Sequence, residues 1–196
     1  AWQATLHTPK GTIRTALHIA GRHNVINALA ATACALAAGV APDAVAQGLR
    51  AFAPVAGRSR ALALTCQGRS VTVVDDCYNA NPDSMHAAIE VLAELPAPRW
   101  LVLGDMGEVG SQGPQFHAEA GAHARSRGIE RLLALGPLSA HAAQAFGPGA
   151  QHFDDKDALL AAVRAALPEA GSVLVKGSRF MKMELAVQAL QEAACS

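Results

Sequence analysis

From residue 61 onward, short apolar runs alternate with stretches of helical periodicity, and this alternation restricts the possible folds more than any other feature of the chain. Strands are expected at 61–66, 70–75, 100–104, 131–135, 150–153 and 172–176. After the second strand, helical patterns fall between them, at roughly 83–95, 115–127, 138–146, 156–167 and 179–193. In the first of these helices Met85, Ala88, Ile89, Leu92 and Leu95 share one face at 3.6-residue spacing. Strand–helix alternation of this kind predicts an α/β fold, an open and mostly parallel sheet with helices on both faces. Such sheets bind ligands beyond the carboxyl ends of their strands, so the chemistry is to be sought there.

The chain before residue 60 follows a different pattern. Two period-2 runs, from Trp2 to Thr8 and from Thr12 to Ile19, flank Pro9-Lys10-Gly11 and predict a β-hairpin. Gly21-Arg22-His23-Asn24 opens a helix expected to run through Ala38, with Gly39 as its cap. Its alanine-rich stretch from Ala28 to Ala38 is too short for a membrane span and reads as a buried helix. A second helix is expected from Pro42 to about Ala51, with proline in its first turn. Residues 53–60 form a linker.

Sixteen basic residues balance sixteen acidic ones, which argues against bulk electrostatic attraction to nucleic acid or to a membrane surface. Cys34, Cys66, Cys77 and Cys195 show no C-x-x-C spacing, so a disulfide framework and a structural zinc site are both disfavoured, and a reducing cytoplasm fits better.

Four segments could carry chemistry. In Val73-Val74-Asp75-Asp76-Cys77-Tyr78-Asn79-Ala80-Asn81-Pro82, a strand ends in two carboxylates and an Asn-rich loop. A carboxylate there can accept from ribose hydroxyls or hold a cation, and Asn79 and Asn81 offer donors and acceptors to an amide-bearing ligand. The alternative is turn and cap chemistry, with Asp83 or Ser84 capping the helix. In Val175-Lys176-Gly177-Ser178-Arg179 a strand again ends and a helix begins, an arrangement that favours an anion near the free N–H groups, with Lys176 or Arg179 adding charge. Otherwise Ser178 caps the helix and Lys176 is solvated. Glycines at 104, 107 and 110 do not fit G-x-G-x-x-G, and the chain contains no G-x-x-x-x-G-K-[ST] loop. His117, on the helix that follows, reads as structural. Asn24 and Asn27 share a helix face and could meet the edge of a purine, or could simply be a polar helix start. Cys77 lacks a marked base and ranks low as a nucleophile.

Taken in order, Gly21-Arg22-His23-Asn24-x-x-Asn27, Pro54-x-x-Gly57-Arg58, Asp75-Asp76-Cys77-Tyr78-Asn79-Ala80-Asn81-Pro82, Leu103-Gly104-Asp105-Met106-Gly107-Glu108 and Val175-Lys176-Gly177-Ser178-Arg179 resemble the Mur ligase family across essentially the whole chain. The Tyr78-Asn79-Ala80-Asn81-Pro82 loop, together with Met183-Glu184, resembles the branch that adds D-alanyl-D-alanine to the peptidoglycan precursor. The resemblance implies that residues 1–58 are the tail of a central ATP-binding domain and residues 59–196 a Rossmann-like C-terminal domain. It implies ATP with Mg2+, and UDP-N-acetylmuramoyl-tripeptide and D-Ala-D-Ala as small-molecule substrates, joined through an acyl phosphate. No nucleic acid, no membrane insertion and a monomeric state are expected with it. By resemblance, Asn24 and Asn27 meet the adenine. Arg58 and Asp76 act at the ribose and phosphates, and Tyr78, Asn79 and Asn81 line the cleft. Lys176, Ser178 and Arg179 bind the dipeptide carboxylate or shape its site. The phosphate loop and the magnesium-binding residues would lie upstream, leaving this segment inactive alone. The competing reading is a standalone Rossmann-like module that binds a nucleotide or a partner.

Overall fold

The computed structural model describes residues 2–19 and 21–194, so Cys195 lies outside the described residues. The chain divides into two compact units, Ala1–Val55 and Ala56–Ser196.

In the first unit, β1 (Trp2–Thr8) and β2 (Gly11–Leu17) form an antiparallel hairpin with Thr8 opposite Gly11. The turn closes locally, since Thr8 Oγ1 donates to Gly11 O and accepts from Lys10 N. Helices α1 (Arg22–Ala37) and α2 (Pro42–Ala51) follow. Leu6, Ile13, Leu36 and Val45 make the small core, and Thr15 ties β2 to α2 through Ala46 O at 3.0 Å. Gly39, at φ 87°, ends α1 by letting Val40 N reach back to Ala35 O. Helix α1 departs from the expectation of a buried helix. It is apolar nearly all round, yet only the stripe Ala28, Thr32 and Leu36 is buried, while Ile26 and Leu29 are exposed. The hairpin and α2 together offer enough surface for one face only.

The second unit is a six-stranded sheet in the order β3-β4-β8-β5-β6-β7. Its strands are β3 (Arg60–Cys66), β4 (Arg69–Asp76), β5 (Arg99–Gly104), β6 (Arg131–Leu135), β7 (Ala150–Phe153) and β8 (Ser172–Lys176). Only β3 runs antiparallel; every other pairing is parallel. Helices α3 (Pro82–Ala93), α4 (Gly113–Ser126) and α5 (Ser139–Phe146) cover one face, and α6 (Lys156–Ala166) and α7 (Glu184–Ala194) the other. The period-2 pleat of β8 separates two cores. Val173 and Val175 point to the α6/α7 side with Trp100 and Val102, whereas Leu174 points to the α3/α4/α5 side with Leu101 and Leu103. All five residues of β8 are buried, as a central parallel strand requires.

This topology locates the site. The chain leaves β4 and β5 toward one face of the sheet and leaves β8, which lies between them, toward the other. The direction of connection therefore reverses on either side of β8, which makes the carboxyl edge at these three loops the switch point where such sheets bind ligands.

Candidate functional site

Three loops meet at that edge: residues 77–81 after β4, 105–109 after β5 and 177–183 after β8. The carboxylates that end β4 hold the edge together. Asp75 is buried and accepts from Gly57 N at 2.9 Å and from the Cys77 thiol at 2.8 Å. Asp76 accepts from Ser59 N and Ser59 Oγ on one oxygen and from Lys176 Nζ on the other. The linker is thus drawn back over its own strand, and Tyr78 N completes the loop by donating to Gly57 O. Gly57, at φ 79°, is required here, because a Cβ would come within 3.1 Å of Tyr78.

Lys176 corrects the expectation of a free charge for an anion. It is 2% exposed, and its ammonium is spent on Asp76 and on Asn79 O at 3.0 Å. The cause is register: Lys176 lies directly opposite Asp76 in the parallel β4–β8 ladder. Ser178 does not cap a helix either. Its hydroxyl accepts from Gly107 N at 2.7 Å and donates to Ala80 O at 3.3 Å, so it ties all three loops together. The segment after it is a 3-10 turn, Arg179–Met181, and α7 begins only at Glu184 because Lys182 turns left-handed at φ 53°. The short turn removes the basis for an anion site at a helix start.

The helix after the Asn-rich loop is capped by Asn81, correcting the choice of Asp83 or Ser84. Asn81 Oδ1 accepts from Ser84 N at 2.8 Å, and Asn81 N donates to Ser84 Oγ at 3.0 Å, a reciprocal capping box. Asn79 is exposed, its Oδ1 folded back on Ala80 N. At the same edge stands an exposed aromatic–cation group. The Arg58 guanidinium lies 4.0 Å from the centre of the Tyr78 ring, and that of Arg179 lies 5.8 Å from it. Arg58, Asp76, Tyr78, Asn79, Asn81, Lys176, Ser178 and Arg179 therefore belong to one carboxyl-edge cluster. Asn24 and Asn27, in the first unit, form their own pair, with Asn27 Nδ2 donating to Asn24 Oδ1 at 3.1 Å.

Two further groups, quoted in the sequence motifs without a role, are placed by the structure. Buried Asp105 accepts from Ser139 N at 2.7 Å, Ser139 Oγ at 2.6 Å and Leu138 N at 3.2 Å, pinning the start of α5. Its own carbonyl accepts from Ser178 N at 3.0 Å. Glu184 accepts from Arg179 at 3.2 Å. Cys77 and His117 are inert by environment. Burial, and then the neighbouring Asp75, push the Cys77 thiol far above its ordinary range. Burial lowers the His117 pKa, and the ring is held as Nδ1–H donor to Gly113 O with Nε2 accepting from Met106 N.

The fold and this edge define a Rossmann-like domain whose polar site lies at the sheet's switch point. A family model described as "Mur ligase, glutamate ligase domain" matches residues 57–179, and the chain belongs to the Mur ligase family. It is 42% identical over 190 residues to the UDP-N-acetylmuramoyl-tripeptide--D-alanyl-D-alanine ligase of Escherichia coli, covering 96% of this chain and 41% of that protein. The Bacillus subtilis protein of the same description is 37% identical, covering 99% of this chain and 44% of its own length. Among solved structures, MurF of Acinetobacter baumannii superposes with a TM-score of 0.86 at 33% identity, over 96% of this chain and 42% of that one. MurF of Thermotoga maritima in complex with ADP shares the fold, with a TM-score of 0.82 at 21% identity over 98% of this chain and 43% of that one. The chain thus spans about two-fifths of the length of the relatives it matches.

Proposed function

We propose that this chain is the C-terminal part of an ATP-dependent amide ligase that joins D-Ala-D-Ala to UDP-N-acetylmuramoyl-tripeptide in peptidoglycan synthesis. One observation carries the reading: 42% identity along 96% of the chain to a ligase of that description. The carboxyl-edge cluster supports it. Residues 1–58 serve as the tail of the ATP-binding domain and 59–196 as a Rossmann-like C-terminal domain. The reaction consumes ATP and a nucleotide-linked precursor, which places it in the cytoplasm, and the protein works as a monomer. Among the described residues no helix is long and apolar enough to cross a membrane.

In this reading Asn24 and Asn27 meet the adenine. Arg58 and Tyr78 meet the ribose and phosphates, a cation and a π face suited to a nucleotide. Asp76, its side chain 15% exposed, fixes the linker that carries Arg58 and faces the ribose at its open rim. Asn79 and Asn81 line the cleft for the dipeptide. Arg179 takes its carboxylate, and Lys176 and Ser178 shape that site from behind. The protein's work is to orient the amine against an acyl phosphate and to exclude water from it. Magnesium does not fit here. Among the described residues no three His, Cys, Asp or Glu side chains converge, and Asp75 and Asp76 are already taken by internal donors.

Phosphate release by the complete polypeptide that carries this segment tests the reading, using ATP, magnesium and UDP-muramoyl-tripeptide with and without D-Ala-D-Ala. Release that depends on D-Ala-D-Ala is expected. Release that depends on a different amino acid would move the protein within the family. No release with any acceptor, from folded protein, would sink the enzymatic reading and favour a binding module.

A further inference from the structure

Glu184 has no part in the reading above, yet the fold goes to some length to place it. Met183, 1% exposed, fills a slot that only glycine leaves open. A Cβ on Gly104 would lie 2.8 Å from the Met183 sulfur, and one on Gly177 would lie 2.7 Å from its Cγ. With Met183 seated there and Lys182 turned left-handed, Glu184 opens α7 directly after the loop that leaves the carboxyl end of β8. There Glu184 Oε1 accepts from Arg179 Nη1 at 3.2 Å, and Oε2 is buried without a hydrogen-bond partner among the described residues. The carboxylate is also close enough for its charge to help raise the Cys77 thiol. A carboxylate with one oxygen desolvated pulls on an adjacent guanidinium more strongly than a solvated one. Arg179 needs such a restraint, because its side chain is 65% exposed and starts from a three-residue turn.

We propose that Glu184 is the positioning residue of the dipeptide subsite. It holds the Arg179 guanidinium on the Tyr78 side of the site, with its remaining N–H groups aimed at the carboxylate of the incoming dipeptide. The proposal rests on the ligase reading and deepens it. Ordering Arg179 before the dipeptide arrives lowers the entropic cost of capturing it. ATP, assigned to Arg58 and the Tyr78 ring and not to Arg179 itself, gains little.

The complete ligase is assayed for kcat and for the KM of D-Ala-D-Ala and of ATP separately. Glu184→Ala should raise the dipeptide KM by about tenfold, the cost of one charge-assisted hydrogen bond, and leave kcat and the ATP KM within about twofold. Glu184→Gln, which keeps the acceptor, should restore most of the loss. In an Arg179→Ala background Glu184→Ala should add nothing, because it acts through the residue already removed. A dipeptide KM that does not move, a parallel rise in the ATP KM, or multiplicative effects of the two alanine variants would each overturn the proposal. If Glu184→Ala does not fold, Glu184→Gln is compared with Glu184→Asp, whose carboxylate is drawn back from Arg179 by one methylene. A raised dipeptide KM in the Asp variant alone supports the proposal, and equal values overturn it. Wild-type enzyme without D-Ala-D-Ala-dependent phosphate release fails the ligase reading and takes the proposal with it. An active wild type with indifferent variants sinks the proposal alone.

Discussion

Replacing Lys176 by Met tests the claim that the centre of the site is an internal lock and not a ligand contact. Met keeps the unbranched length and discards the charge. In the folded protein Asp76 would keep its bonds from Ser59 but lose the ammonium on its second oxygen, and Asn79 O would lose its donor. The Lys176 side chain is 3% exposed and that of Asp76 15%, so water cannot replace the missing cation fully. Removing one member of such a pair costs about 3 kcal/mol, the low end for buried ion pairs because Asp76 keeps a solvated rim. For a unit of this size that loss lowers Tm by roughly 6–12 °C. Trp100 is buried in the second unit and Trp2 lies in the first, so fluorescence in a Trp2→Phe background reports the second unit during urea or thermal unfolding. Adding Asp76→Asn to Lys176→Met should recover part of the loss, because the uncompensated charge is gone while an acceptor for Ser59 remains. A loss below about 1 kcal/mol for Lys176→Met would refute the reasoning, since an exposed pair contributes no more than that.

Three other outcomes are expected. The folded His117 imidazole resists protonation, whereas the unfolded one titrates near 6.5; the unfolded chain therefore binds more protons below that pH, and stability should fall as pH drops from 6.5 toward the lowered folded value. Urea midpoints at pH 7 and pH 5 should show a smaller drop for His117→Gln than for the wild type. Gly121→Ala would place a Cβ 2.0 Å from Ala142 O, backbone that cannot swing away, so α4 and α5 must separate at a cost of about 3 kcal/mol or more by thermal unfolding. Asn81→Ala should lose about 1 kcal/mol with the cap, while Asn81→Ser keeps the cap; a Ser variant that is stable yet poor in dipeptide turnover would assign the carboxamide to the substrate.

Much of the architecture was legible because it rests on local periodicity. The strand ending in Asp75-Asp76 and the helix face through Met85, Ile89 and Leu92 are both set by short-range patterns, and the structure places them as expected. The roles of the site residues were less legible, because their partners are distant in sequence. Lys176 meets Asp76 across a gap of 100 residues, and Asp105 meets Ser139 across 34. No window around Lys176 reveals that its register partner is a carboxylate; only the insertion of β8 beside β4 does so. The late start of α7 was hidden for a different reason. Arg179 to Leu190 carries a helical hydrophobic pattern, but Met183 is seated in the Gly104/Gly177 slot, and the turn at Lys182 breaks the first part of that pattern.

The position of β8 also governs how the second unit can be made. Of the six strands of this sheet, the one synthesised last is the one that joins β4 to β5. Until residues 172–176 are available, the nascent chain holds two separate half-sheets, β3–β4 and β5–β6–β7, each with an apolar edge lacking a neighbour. Assembly must wait for a contact between distant parts of the chain, which makes folding slow and leaves those edges open to other chains meanwhile. A polypeptide interrupted just before Ser172 would keep most of the residues of this unit and still leave its two half-sheets unjoined.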